Sequence, residues 1–162
     1  MDTNEGRKHL HDVVNDFDVA MLVTYATNAM HARPMAIARQ DDGVGAYLVT
    51  DINSLKVDEI AANSNALLTF QSARKFASVR GAVAVLRDRL LIEKLWKETW
   101  KVWFPSGKTD PNIAILKFTP HDGEYWDNAG MQGLKYIYDA AKAYVTGDTP
   151  QSDDAQHAKV GL

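Results

Sequence analysis

The sequence predicts a mainly β protein, an antiparallel barrel with peripheral helices. Six or seven short β-rich segments follow one another in mostly hairpin-sized steps. Helical patterns fall at the two ends and in two insertions, without the regular strand–helix alternation of a doubly wound sheet. Closing an antiparallel sheet into a barrel is the usual way of disposing of its edges.

Residues 5–18 open the chain as an amphipathic helix, with Leu10, Val13, Val14 and Phe17 at i, i+3, i+4 and i+7. His9 and His11 lie two apart and point to different helix faces, which makes them poor partners for one metal. Val19–Tyr25 is a first strand, and Ala26–Ala29 turns the chain into a second, Met30–Gln40. His31, Arg33, Met35, Ile37 and Arg39 share one face of that strand. Pro34 has no N–H to give to a ladder, so it belongs at an edge or bulge. Asp41-Asp42-Gly43 turns into a third strand, where Val44, Ala46, Leu48 and Thr50 alternate with Gly45, Tyr47, Val49 and Asp51.

Asp51-Ile52-Asn53-Ser54 is turn and N-cap chemistry before a helix over 54–63, whose Val57, Ile60 and Ala61 form one apolar face. Lys56 is out of place there. A cation in the first helical turn meets the positive end of the macrodipole. Two readings stay open at this point. A phosphate could gather the free backbone N–H groups, the Ser54 hydroxyl and the Lys56 ammonium. Alternatively Ser54 is a plain cap and Lys56 a solvated lysine loosely paired with Asp51.

Ala66–Ser72 reads as a fourth strand and Phe76–Leu86 as a long fifth, with a bulge at Gly81. Asp88 caps a helix that the pattern carries to about Phe104, before Pro105. Its Trp96, Trp100 and Trp103 suit a core or an interface better than a ligand. Ile113–Thr119 is another strand and Gly123–Asp127 a short last one. Met131, Leu134, Ile137, Tyr138, Ala141, Tyr144 and Val145 mark a C-terminal helix. Residues 1–146 form one domain in this reading, and 147–162 a disordered tail.

Composition removes several functions. The chain has 162 residues and a net charge of −3, with the two signs interspersed, so there is no electrostatic case for nucleic acid. Without cysteine there is no disulfide, thiolate metal site or cysteine nucleophile. The N-terminus has no apolar core of a signal peptide and no run approaches membrane-spanning length, so a cytoplasmic protein is expected. Neither Gly-x-Ser-x-Gly nor His-Glu-x-x-His occurs, and Gly107-Lys108-Thr109 lacks the earlier glycine of a phosphate loop. The acidic pair Asp58/Glu59 reads as a solvated helix face. Redox or transfer chemistry would therefore come from an organic cofactor.

One ordered set of segments stands out: Arg33-Pro-Met-Ala, Leu48-Val-Thr-Asp-x-x-Ser-x-Lys56, Phe76-Ala-Ser-Val-x-Gly81 and Glu124-Tyr-Trp-Asp127. In order and spacing over roughly residues 5–145, it resembles the pyridoxamine 5′-phosphate oxidase-like flavin-binding split barrels, in their general stress protein branch. The resemblance implies a six-stranded antiparallel split β-barrel working as a homodimer, with FMN (or FAD) in grooves between the subunits. It implies that Arg33, Pro34, Met35 and Ala36 run along the flavin, with the arginine toward the phosphate. Val49 and Thr50 then line the ring and ribityl side, Asp51 is a further cofactor-binding position, and Ser54 and Lys56 take the phosphate. Trp126 is an aromatic wall from the other subunit.

This sequence also departs from the family oxidase. Leu55 replaces an arginine beside the phosphate lysine, and Phe76 replaces a flavin-contacting glutamine. Asp127-Asn-Ala-Gly130 lacks the oxidase's arginine–histidine substrate pair, which argues against pyridoxine phosphate oxidation. The expected function is a flavin-binding stress protein able to pass electrons from NAD(P)H to an acceptor. The alternatives are a non-catalytic flavin carrier and a cofactor-free dimeric interaction module.

Overall fold

The computed structural model describes residues 3–40, 43–147 and 157–162. Seven antiparallel strands build one sheet: β1 (Val19–Tyr25), β2 (Met30–Gln40), β3 (Ala46–Asp51), β4 (Asn65–Gln71), β5 (Lys75–Leu86), β6 (Ile113–Asp127) and β7 (His157–Gly161). The order β3-β2-β1-β4-β5-β6 closes on itself through β3–β6 pairing, and this is the six-stranded barrel the sequence predicts. β7 adds to the free flank of β6 from Asp122 to Trp126.

The alternation of each strand becomes an inside and an outside. Leu22, Leu48, Leu68, Val79, Leu116 and Phe118 are buried in the barrel. α1 (Thr3–Asn15) presses Leu10, Val13 and Val14 into the same core. Each such side chain contributes about 1.5–3 kcal/mol by leaving water. A Cβ on Gly123 would stand 2.6 Å from Leu10 Cδ2, so the helix is held tightly against β6.

β6 is one strand of fifteen residues where two were expected. Gly81 lies opposite Pro120 and Arg80 opposite Asp122, leaving His121 as the extra residue of a bulge. The irregularity falls at Gly81 as predicted. It absorbs Pro120 without ending the strand. A second irregularity leaves Ala38 unmatched, with Ile37 opposite Leu48 and Arg39 opposite Tyr47. Leu48 and Tyr47 point to opposite faces, so the bulge removes Arg39 from the face it was expected to share with Met35 and Ile37. Arg39 instead covers the Tyr47 ring at 4.8 Å.

A second, smaller core lies outside the barrel, where Tyr47, Val49, Ile113 and Ile115 meet Ile92, Leu95, Trp100 and Phe104. Here the expected continuous helix from Asp88 to Phe104 is corrected. α3 spans only Arg89–Leu95, Trp96 turns extended (φ −51°, ψ 133°), and Glu98–Val102 is a 3-10 turn. In one α-helix Leu95 and Trp100 would sit about 140° apart. The break lets both enter the same core.

The expected disordered tail is also corrected in part. Residues 148–156 lie outside the described residues, but His157–Gly161 is strand β7. Val160 is buried in the main core, and Arg7 Nε donates to the Gly161 carbonyl at 2.7 Å. A single apolar anchor within a polar segment leaves almost no pattern to read. α2 (Leu55–Ala62) and α4 (Gly130–Thr146) fall where expected.

Candidate functional site

The β2–β3 pairing ends at Ile37 and Leu48. Past that point the two strands part: β2 from Met30 to Ala36 keeps only β1 as a partner, and β3 from Val49 to Asp51 keeps only β6. Pro34 therefore stands on a half-edge, as its missing N–H requires. The parted strands leave an open groove of about 540 Å³, a common size for a cofactor site. Its lining is Pro34, Met35 and Ala36 from β2, Val49, Thr50 and Asp51 from β3, and Lys56 from α2. Val102, Trp103 and Phe104 close the other side.

Lys56 closes one end of the groove. Its Nζ donates to Thr50 Oγ1 at 3.1 Å, and that hydroxyl lies 3.2 Å from Ser54 Oγ. Ser54 occupies the N-cap position of α2, yet its hydroxyl makes no capping bond and donates to the Asp51 carbonyl at 2.7 Å. Asp51 Oδ1 accepts from the Asn53 N–H at 2.8 Å. Burial lowers the Lys56 pKa, and the Arg33 charge lowers it further, against weaker support from Asp51 and Glu59. An anion placed here would favour the charged ammonium and oppose that lowering.

Arg33 does not line the groove. Its guanidinium donates to Thr24 Oγ1 at 2.5 Å and to Glu59 Oε2 at 3.0 Å. Glu59 also accepts from Thr24 and contacts His31 Nδ1 at 2.5 Å. Reading Glu59 as solvated is thus corrected: it is 5% exposed. Burial pushes its pKa up, but the hydrogen bonds from Thr24, His31 and Arg33 outweigh burial and hold it down at about 2. Arg33 thus forms an ion pair with Glu59 of α2. The Arg33 charge is still felt at Lys56, with Glu59 acting in the opposite direction.

Trp126 lies on β6 opposite Phe76 and stacks on His157, with ring centroids 5.0 Å apart. It is not among the groove residues of its own chain. The sequence reading missed Val102, Trp103 and Phe104 as groove residues because a continuous helix was assumed. The visible signal was the helix-stopping Pro105 just beyond three bulky residues. Glu59 had no local signal, since its partners lie on β1 and β2. Among the described residues no cluster of His, Asp or Glu could hold a metal ion, and no helix is long and apolar enough to cross a membrane.

A closed antiparallel barrel that splits between two strands beside a lysine defines the class, a split-barrel protein. The chain belongs to the pyridoxamine 5′-phosphate oxidase like family, whose model matches residues 5–151. It is similar to general stress protein 26 of Bacillus subtilis (strain 168), at 28% identity over 127 residues covering 75% of this chain and 89% of the relative. Among solved structures, a provisionally assigned general stress protein 26 of Jannaschia sp. CCS1 superposes with a TM-score of 0.76 at 25% identity. That match covers 98% of this chain and 99% of the other. A general stress FMN/FAD binding protein of Xanthomonas citri shares the fold with a TM-score of 0.67 at 23% identity, over 78% and 92% of the two chains.

Proposed function

We propose that the groove holds a flavin nucleotide, FMN or FAD, and that the protein uses it to pass electrons from reduced nicotinamide to an acceptor. The observation carrying this reading is the parting of β2 from β3 with Lys56 at the end of the gap. Strand segments not paired with each other can offer backbone groups to a heteroaromatic ring. Met35 and Val49 supply apolar wall, and Lys56 with the Thr50 and Ser54 hydroxyls suits a phosphate. The residues present therefore fit the cofactor the family suggests. When bound, it would supply the redox chemistry, and the chain would supply position, polarity and water exclusion.

The same reading makes the protein a homodimer with a site at each end of the interface. Val19, Met30 and Phe76 are exposed at 51, 67 and 37%, on strands of the barrel's outer surface, a pattern suited to a subunit contact. Trp126 would wall the partner's groove.

A non-catalytic carrier is favoured by a separate observation: Asp51 and Lys56 are the only titratable groups among the residues lining the groove. Adding FMN to purified protein and desalting tests the binding. Steady-state NAD(P)H consumption with common acceptors then separates enzyme from carrier, with none expected of a carrier.

A further inference from the structure

The bulge at Ala38 lies just past the closed end of the groove, and it decides where Arg39 goes. Bulges beside functional sites commonly re-aim a side chain. Here the Arg39 guanidinium is carried out over the Tyr47 ring, 4.8 Å from its centroid. Lys117 reaches the same ring from β6, with its Nζ 6.0 Å from the centroid. Register explains the meeting, because Tyr47 pairs with Arg39 on one side and with Lys117 on the other. Lys97 joins them from the segment that leads to Val102 and Trp103. Its Nζ donates to the Ile37 carbonyl at 3.4 Å, next to the bulge.

These cations lack the partners that others in the chain have found. Arg33, Lys75, Arg80, Lys101 and Lys108 each pair with a carboxylate. Among the described residues no carboxylate pairs with Arg39, Lys97 or Lys117, although the chain has a net charge of −3. Glu98, beside Lys97, instead engages Lys101 at 2.7 Å and accepts from Trp96 Nε1 at 2.9 Å. The ring repays each cation only about 0.5–1 kcal/mol at an exposed position. Repulsion between like charges works against that gain.

A multiply charged anion would relieve the repulsion. The arginine fork can take two phosphate oxygens at once, and lysines add point charges. Tyr47 itself is 8% exposed, so a ligand here meets the charges and not the ring. The position is separate from Lys56, which stands at the other end of the groove with Thr50 and Asp51. Ala36 of the groove wall is three residues along β2 from Arg39, about 10 Å in an extended strand.

We propose that Arg39, Lys97 and Lys117 form a second anion site, which takes a diphosphate group at the closed end of the groove. A nucleotide-sized molecule anchored there reaches the groove wall at Ala36. The site stands on its own geometry and does not require that the groove hold flavin.

The test uses full-length protein freed of any bound flavin, carrying Lys56→Ala and Ser54→Ala to remove the other anion end. Calorimetric titration with inorganic diphosphate at low salt should show one ion bound per chain. Adding Arg39→Gln and Lys117→Gln should weaken that binding at least tenfold. No binding before those changes overturns the proposal, and so does unaltered binding after them. Orthophosphate should bind at least tenfold more weakly, and equal binding overturns the assignment to a diphosphate.

A second measurement needs no substitution. Inorganic diphosphate should slow acetylation of Lys97 and Lys117 in the native chain, read by peptide mass, and leave the exposed Lys94 unchanged. Equal labelling with and without diphosphate overturns the site.

Discussion

Arg33 and Glu59 form a 3.0 Å ion pair that ties β2 to α2, directly behind the groove. Thr24 and His31 complete the carboxylate's partners, so three elements meet on one buried charge. The pair links architecture to site, because Arg33 also acts on Lys56 through space.

Glu59→Gln should be strongly destabilising, since it strands the Arg33 charge. Breaking a buried pair from one side costs about 3–5 kcal/mol, and the neutral amide retains some of the hydrogen bonding, so the lower end applies. Urea unfolding of both proteins at neutral pH gives the difference.

The pH dependence has a definite sign. The Glu59 carboxyl is held at about 2 against an ordinary 4.5, so the folded state favours its charged form. That contribution is complete above the unfolded value and is lost as pH falls from about 4.5 towards 2. A shift of this size corresponds to about 3 kcal/mol. Urea midpoints measured between pH 7 and pH 3 should fall more steeply for the native sequence than for Glu59→Gln.

Two glycines should respond differently to alanine. At Gly81 the new Cβ would meet the Thr119 carbonyl oxygen at 2.2 Å and Phe118 Cζ at 2.7 Å. Backbone there has no room to retreat, and Gly81→Ala should cost at least about 3 kcal/mol or prevent folding. At Gly123 the closest atom is the tip of Leu10, which can rotate away, so Gly123→Ala should cost about 1–2 kcal/mol. Thermal unfolding of the two variants would show the order.

Lys56→Ala with Ser54→Ala probes the anion end of the groove. FMN affinity should fall tenfold or more, on the order of one charge-assisted contact at ~1.5–3 kcal/mol. Riboflavin, which lacks the phosphate, should be nearly unaffected. Equal losses for the two ligands in a fluorescence titration would place the phosphate elsewhere.

Much of this molecule was legible beforehand, and particular residues show why. The barrel strands announce themselves through period-two alternation, and Gly81 marks its bulge because no other residue fits there. The groove residues from Pro34 to Lys56 came through the ordered resemblance, and the parted strands do bring those of β2, β3 and Lys56 together. Arg33 was placed on the right face but turned to a partner, Glu59, that lies 26 residues away. Neither local propensity nor helix periodicity reveals such a contact. β7 was invisible for a similar reason: Val160 is buried only because β6 offers it an edge. The break at Trp96 follows from the demand that Leu95 and Trp100 share one core, which is a tertiary constraint.

The most direct test of the central claim is a visible absorbance spectrum of the full-length protein, taken before and after adding FMN and again after desalting. A flavin in the groove predicts absorption bands that stay with the protein fraction and weaken in the Lys56→Ala, Ser54→Ala variant. A colourless protein from which added FMN separates completely would contradict the claim and leave a split barrel without its cofactor.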